Sequence, residues 1–97
     1  MTGWGFDYKY VRSGLLRLCD EASSRGFKWQ EDHVHTLIRV GEYSLALDDL
    51  AAAYLENTKQ ISNDILNVFD DLAARMGIVA GDEWEAVAEL RALPRQP

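Results

Sequence analysis

The 97-residue sequence contains only one cysteine and two prolines, and both prolines lie in its last four residues. A single cysteine excludes an internal disulfide and fits a reducing cytoplasm. The residues around Cys19 are mostly leucine and alanine, which favours a buried and inert thiol. Two prolines and seven glycines also exclude a disordered low-complexity chain.

Long apolar runs are missing too. No run approaches the roughly 18–20 residues that a membrane-spanning helix needs. The stretch from Met1 to Asp7 has neither the basic segment nor the apolar segment of a secretory signal. We therefore expect a cytoplasmic protein that does not interact with a membrane.

Motifs for catalysis are absent as well: serine elbows, Cys-x-x-Cys pairs and nucleotide-binding fingerprints do not occur. His33 and His35, beside Glu31 and Asp32, form the one cluster that suggests a metal or an acid–base site. Helical residues two apart point about 200° away from each other, so the histidines cannot share one zinc ion. Glu31 and His35, four apart, can meet on the surface. We predict no metal, no cofactor and no enzymatic activity.

Charge is unevenly distributed along the sequence. Residues 1–40 hold six Lys or Arg against five Asp or Glu, whereas residues 41–97 hold four against eleven. The total of −6 is therefore concentrated in the C-terminal half. Such a surface repels nucleic acid, whose phosphates must be neutralised by basic residues. It attracts basic protein partners and speeds their encounter.

Apolar residues recur at helical spacing throughout, and no stretch alternates for long enough to predict a strand. Helices are predicted over residues 7–24, 30–40 and 41–56. A fourth is capped by Ser62, stapled by Ile61 and Leu66, and ended by Gly77. A short fifth begins at Asp82 and buries Trp84 and Val87. The sequence predicts one all-α domain over residues 1–97, a compact bundle of four to five short helices.

The helix over residues 41–56 is central to this arrangement. Its inner stripe consists of Tyr43, Ala46, Leu47, Leu50, Ala51 and Tyr54. The opposite side carries Ser44, Asp48, Ala52 and Glu56, with Asp49 at its edge. The first helix has a comparable stripe of Tyr8, Val11, Leu15, Leu18, Cys19 and Ala22. We expect the acidic side of the central helix to face water or a partner.

The run from Val40 to Leu50, Val-Gly-Glu-Tyr-Ser-Leu-Ala-Leu-Asp-Asp-Leu, resembles the core signature of the MafI-type immunity proteins. The resemblance continues through Ala51 to Glu56 and through Ala73 to Gly77, and it covers about residues 34–77. It implies a cytoplasmic antidote to a bacterial toxin delivered by contact-dependent or related polymorphic systems. Such an antidote binds the C-terminal domain of its toxin. Many of these toxins are ribonucleases or other nucleases with basic clefts, which suit an acidic partner.

The start of the central helix is also similar to the first helix of a tetratricopeptide repeat. The repeat length is about 34 residues, so a second copy of the motif would begin near Arg75, but the sequence there does not match it. The alternative function is therefore a general helical module for protein–protein interaction.

We predict a monomer that pairs one-to-one with its toxin and covers the active site with an acidic helical surface. The carboxylates assigned to that surface are Asp48, Asp49, Glu56, Asp64, Asp70 and Asp71. The competing interpretation is that these acids only keep the protein soluble.

Overall fold

Five α-helices make up most of the chain that the computed structural model describes, residues 8–77 and 85–96. They are α1 (Tyr8–Ser24), α2 (Glu31–Arg39), α3 (Tyr43–Asn57), α4 (Asn63–Arg75) and α5 (Glu85–Ala92). The predicted all-α bundle is confirmed, and the predicted helix ends agree to within about two residues wherever both can be compared. The predicted start at Asp82 and the burial of Trp84 lie outside the described residues. None of the described helices is long and apolar enough to cross a membrane.

Helix α3 lies at the centre and contacts each of the other four helices. Its predicted stripe is buried except for Tyr43, which is partly exposed, and Ala53 is buried in addition. Aromatic rings fill the middle of the core: the Tyr54 ring lies edge-on to Phe69 at 5.3 Å and to Phe27 at 5.0 Å. Edge-to-face pairs of this kind are favoured by the ring quadrupoles. The core thus forms around the helix that carries the resemblance.

The turn between α2 and α3 is set by Gly41, whose φ of +83° lies in the left-handed region. Its N–H bonds the Ile38 carbonyl, and the Glu42 N–H bonds the Leu37 carbonyl at 2.8 Å. These two bonds form a Schellman motif, which glycine accommodates without steric strain. The motif ends α2, and α3 begins at Tyr43, two residues after Gly41. The two helices therefore form a tight hairpin.

Helix α4 begins as the sequence predicts. The Ser62 hydroxyl accepts a hydrogen bond of 3.2 Å from the Ile65 N–H, which satisfies one of the free donors of the first turn. Ile61 and Leu66, on either side of this cap, are both buried. Asp64 lies in the first turn, where the helix dipole favours an anion.

One predicted feature of the helix faces is wrong. Tyr8, placed in the inner stripe of α1, is 63% exposed, and its ring lies 6.2 Å from that of Tyr43. On the outer side of α3, Glu56 is exposed, and the other residues predicted there are half-buried: Ser44, Asp48, Asp49 and Ala52. Helices on several sides of α3 cover the remainder in part.

The segment after α5 pairs with the loop between α3 and α4, a contact that helical spacing does not predict. The Ile61 N–H bonds the Pro94 carbonyl and the Gln96 N–H bonds the Ile61 carbonyl, both at 3.0 Å. The Arg95 guanidinium donates to the carbonyls of Arg91 and Leu93 near the end of α5. This pairing holds α5 against the start of α4.

Candidate partner-binding surface

The six predicted carboxylates lie in three different surroundings. Asp49 and Glu56 line a groove between α2 and α3. Asp64 and Asp71 line a groove between α1 and α4. The remaining two do not line either groove: Asp70 bonds α5, and Asp48 is a half-buried residue of α3. The structure therefore distributes the acids that the sequence places on two consecutive helices.

The α2–α3 groove has a volume of about 310 Å³. Its α3 side is formed by Asp49, Ala52, Ala53 and Glu56, which recur at helical spacing. Small alanines between the two acids leave the groove open. The α2 side brings His33 to 3.4 Å from Asp49, measured from Nε2 to Oδ2. Glu56 forms no ion pair with any described residue.

Trp29 also lines this groove, and Asn57 bonds the backbone of the residue before it. The Asn57 side-chain oxygen accepts from the Lys28 N–H at 2.9 Å, and its amide donates to the Lys28 carbonyl at 2.9 Å. The same amide also donates to the Ala53 carbonyl at 2.8 Å. The backbone just before Trp29 is therefore clamped to the last turn of α3, next to Glu56.

The α1–α4 groove differs in its charge. A cleft of about 220 Å³ opens between Gly14 and Arg17 of α1 and Val68 and Leu72 of α4. The helices approach closely here, since a Cβ on Gly14 would lie 2.8 Å from a methyl group of Leu72. Arg17 borders the groove on one side, and Asp71 borders it on the other.

Asp71 is fully engaged within the chain. The Tyr10 hydroxyl donates to its carboxylate at 2.5 Å, and Arg75 Nε donates at 3.1 Å. The Arg75 guanidinium also stacks over the Tyr10 ring at 3.9 Å, a cation–π arrangement. The bond from Tyr10, followed by the one from Arg75, lowers the pKa of Asp71. A partner that uses Asp71 must therefore compete with these contacts.

Asp70 is engaged in a similar way, with Arg91 Nε donating to its carboxylate at 2.7 Å. This pair connects α4 to α5. Asp48 has no ion-pair partner in the described chain. Its partial burial, followed by the charge of Asp49, raises its pKa above the ordinary value. Among the described residues, three of the six predicted acids thus have intramolecular cations or donors, and Asp48, Glu56 and Asp64 do not.

The histidine cluster behaves largely as its spacing indicates. His35 and Glu31, four apart, approach to 3.7 Å, whereas His33 turns to Asp49 on the other helix. Within residues 8–77 and 85–96 no three or more His, Cys, Asp or Glu side chains are grouped to hold a metal ion. Cys19 is buried, as predicted, and desolvation raises the pKa of its thiol to about 12.

Sequence reasoning missed the contacts that cross between helices. The four-residue spacing of Asp71 and Arg75 is a readable signal for an ion pair. The pairs His33–Asp49 and Asp70–Arg91 have no such signal, since they depend on how the helices pack. The role of Trp29 depends in the same way on the Asn57 clamp.

Comparison with known proteins gives no match to a family model, to a curated protein or to a solved structure.

Proposed function

We propose that the protein is a cytoplasmic immunity protein of the MafI type, a non-catalytic antidote that binds the C-terminal domain of a bacterial polymorphic toxin. The resemblance over residues 34–77 supports this proposal, together with the excess of acids after residue 40. The observation that carries it is that two acids of α3 have no ion-pair partner among the described residues. The helix that bears the resemblance carries the exposed Glu56 and the half-buried Asp48, and neither forms an ion pair with a described residue.

Unpaired surface carboxylates are suited to a basic partner. A standard interface buries about 800 Å² on each partner, which is enough to include both α3 acids and their neighbours. If the toxin is a nuclease, its cleft carries cations that bind substrate phosphates. Carboxylates of α3 that occupy those cations block the substrate, so that binding is itself inhibition.

The six acids are expected to contribute unequally. Asp48, Asp49 and Glu56 are proposed to contact the toxin directly, with Asp64 adding to the attraction at longer range. Asp70 and Asp71 are proposed to act mainly within the chain, because their bonds to Arg91 and Arg75 stabilise the position of α4. A few residues usually dominate the binding energy of an interface.

The alternative is a general helical interaction module. The α2–α3 hairpin with its open groove favours this function, since paired helices bind extended peptides in such grooves. The two proposals differ in the partner. An immunity protein binds one toxin, which is encoded by the neighbouring gene, whereas a general interaction module has no toxin encoded beside it.

Two observations test the proposal: the neighbouring genes, and the formation of a complex with the toxin domain that they encode. We expect a toxin gene or toxin fragment directly upstream, and its C-terminal domain should co-purify with this protein as a one-to-one complex. Expression of the protein should also restore growth to cells that make the toxin domain. Absence of a neighbouring toxin module, or a neighbouring toxin domain that neither binds nor is neutralised, contradicts the proposal.

A further inference from the structure

The α2–α3 groove has the features of a receptor for one side chain of a partner. Its volume of about 310 Å³ is at the lower end of the range for small-molecule pockets, roughly 300–1,000 Å³. Small-molecule sites also contain buried polar groups that orient the ligand. In the described chain every buried side-chain nitrogen or oxygen already has a hydrogen-bond partner. The groove is therefore better suited to a single protruding side chain than to a cofactor.

The walls of the groove select for positive charge. Asp49 and Glu56 are seven residues apart, so they lie about 10 Å apart along α3 and cannot hold the same ion. His33 already occupies the Asp49 end. Glu56 lines the same groove as Trp29 and has no ion-pair partner among the described residues. The Glu56 end is thus the open position for a cation.

A carboxylate next to an indole ring favours a guanidinium over an ammonium group. Arginine is planar, forms two parallel hydrogen bonds with a carboxylate and stacks on aromatic faces. Tryptophan is the best aromatic partner for a cation. The Asn57 bonds order the backbone at Lys28, next to Trp29, before the partner arrives, which reduces the ordering cost of binding.

We propose that the Glu56–Trp29 end of the α2–α3 groove binds an arginine side chain of the partner protein, with its aliphatic stem lying along Ala52 and Ala53. This inference rests on the proposed function, since it names the chemistry by which a basic toxin domain is anchored. The α1–α4 groove is unsuited to the same ligand, because Arg17 lines it and Asp71 is already bonded.

The first experiment does not need the toxin. The isotope-labelled protein is titrated by NMR with N-acetyl-arginine methylamide at constant ionic strength, and separately with the uncharged isostere N-acetyl-citrulline methylamide. Arginine should shift the Trp29 indole N–H and the amides near Glu56 at least several-fold more than citrulline does. Equal shifts from both compounds, shifts spread evenly over all acidic residues, or a stronger response to the lysine analogue would overturn the assignment.

The second experiment uses the toxin domain encoded beside this gene and three variants. Glu56→Gln removes the charge, and Ala52→Met fills the groove with no change of charge. Each should weaken binding about 10- to 100-fold, mostly through faster dissociation, as expected for a desolvated anchor. Asp64→Asn is the matched control, an unpaired acid outside the groove, and should change affinity less than about 3-fold. All three variants change exposed or half-buried positions, and circular dichroism verifies that they fold.

The two experiments separate the inference from the proposed function. If the wild type binds the toxin and both groove variants bind equally well, the arginine site is wrong and the immunity function stands. If no toxin binds but the arginine analogue still perturbs Trp29 and Glu56 selectively, the groove is a cation receptor and the immunity function is wrong.

Discussion

The two surface grooves contain similar residue types but differ in how their charges are balanced. Each is lined by two of the predicted acids. Between α1 and α4, Arg17 and Arg75 accompany the carboxylates, and the Tyr10 hydroxyl donates to Asp71. Between α2 and α3, His33 pairs with Asp49, and Glu56 forms no ion pair with a described residue. The first groove is balanced within the chain, whereas the second is left acidic.

This difference shows that an acidic residue in the sequence is not equivalent to an acidic residue available for binding. A carboxylate that already accepts two hydrogen bonds must lose or share them before it contacts a partner. Its charge is also partly cancelled for an approaching protein. The availability of an acid therefore depends on its neighbours in space.

The largest expected effect is a loss of folding stability when side chains of the core, on which both grooves depend, are truncated. Leu47→Ala and Phe69→Ala should each lower the free energy of unfolding by about 2–5 kcal/mol, because both side chains are buried and leave cavities. Urea denaturation followed by circular dichroism measures the loss. Leu45→Ala is the control on the same helix: this side chain is 51% exposed, and its removal should change stability by less than about 0.5 kcal/mol. Equal losses for Leu45 and Leu47 would contradict the assigned faces of α3.

Charge reversal tests the contrast between the acids of α3 and those of α4. Asp48→Lys with Asp49→Lys should slow association with the toxin by about 10- to 100-fold at low salt, where electrostatic steering is strongest. Asp70→Lys with Asp71→Lys should slow association less, but should destabilise the fold because the new lysines face Arg91 and Arg75. Stopped-flow association and thermal melting measure the two effects. If both pairs bind and protect like the wild type at low salt, the acids serve only solubility.

Two tyrosine–carboxylate pairs extend the contrast into the core. The Tyr54 hydroxyl donates to Glu21 within the bundle, whereas Tyr10 donates to Asp71 at the surface. Tyr54→Phe should therefore cost about 1.5–3 kcal/mol, as expected for a hydrogen bond to a charged acceptor. Tyr10→Phe should cost less, because water replaces the lost bond.

The same pairs predict that the free energy of unfolding depends on pH in the alkaline range. Desolvation, followed by the bond to Glu21, raises the pKa of Tyr54 above its value in the unfolded chain, which is about 10. The folded protein then holds this proton more tightly than the unfolded chain does. The corresponding stability is complete below pH ~10 and is lost as the pH rises above it. Denaturation at a series of pH values should show a smaller alkaline loss for Tyr54→Phe than for Tyr10→Phe.

The smallest expected effect concerns the closest helix contact. Gly14→Ala gains helix propensity of about 1 kcal/mol but requires a methyl group of Leu72 to move. The two effects oppose each other, so stability should change by less than about 1 kcal/mol. Toxin affinity should not change, since this variant narrows the α1–α4 groove only. A loss of affinity comparable to that of Ala52→Met would mean that both grooves bind the toxin.

Helix positions were predictable because one periodic stripe determines each of them. Ser62 and Gly41 mark helix ends through local hydrogen bonding and φ, which depend on near neighbours in the chain. Tyr8 was misplaced because periodicity assigns a residue to a face of its helix but does not show how far along that face the neighbouring helices extend. The outer side of α3 was predicted as open because periodicity identifies one buried stripe and does not show that several helices surround the same helix.

The candidate site was only partly predictable for the same reason. The acids could be read from the sequence, and so could the pair of Asp71 with Arg75. The bonds His33–Asp49 and Asp70–Arg91 join residues 16 and 21 positions apart, and no local rule connects them. The clamp from Asn57 to Lys28 likewise depends on tertiary packing, so the place of Trp29 in the groove was not foreseen.

The pairing of Ile61 with the segment after α5 has a consequence for how the bundle opens. Its two backbone bonds close a loop that contains both α4 and α5, as a noncovalent staple would. The Ile61 and Gln96 amides should therefore exchange with solvent deuterium at similar rates, since one separation event frees both. While the staple holds, α4 and α5 form a single cooperative unit, and fraying of the last helix is coupled to release of the α3–α4 loop.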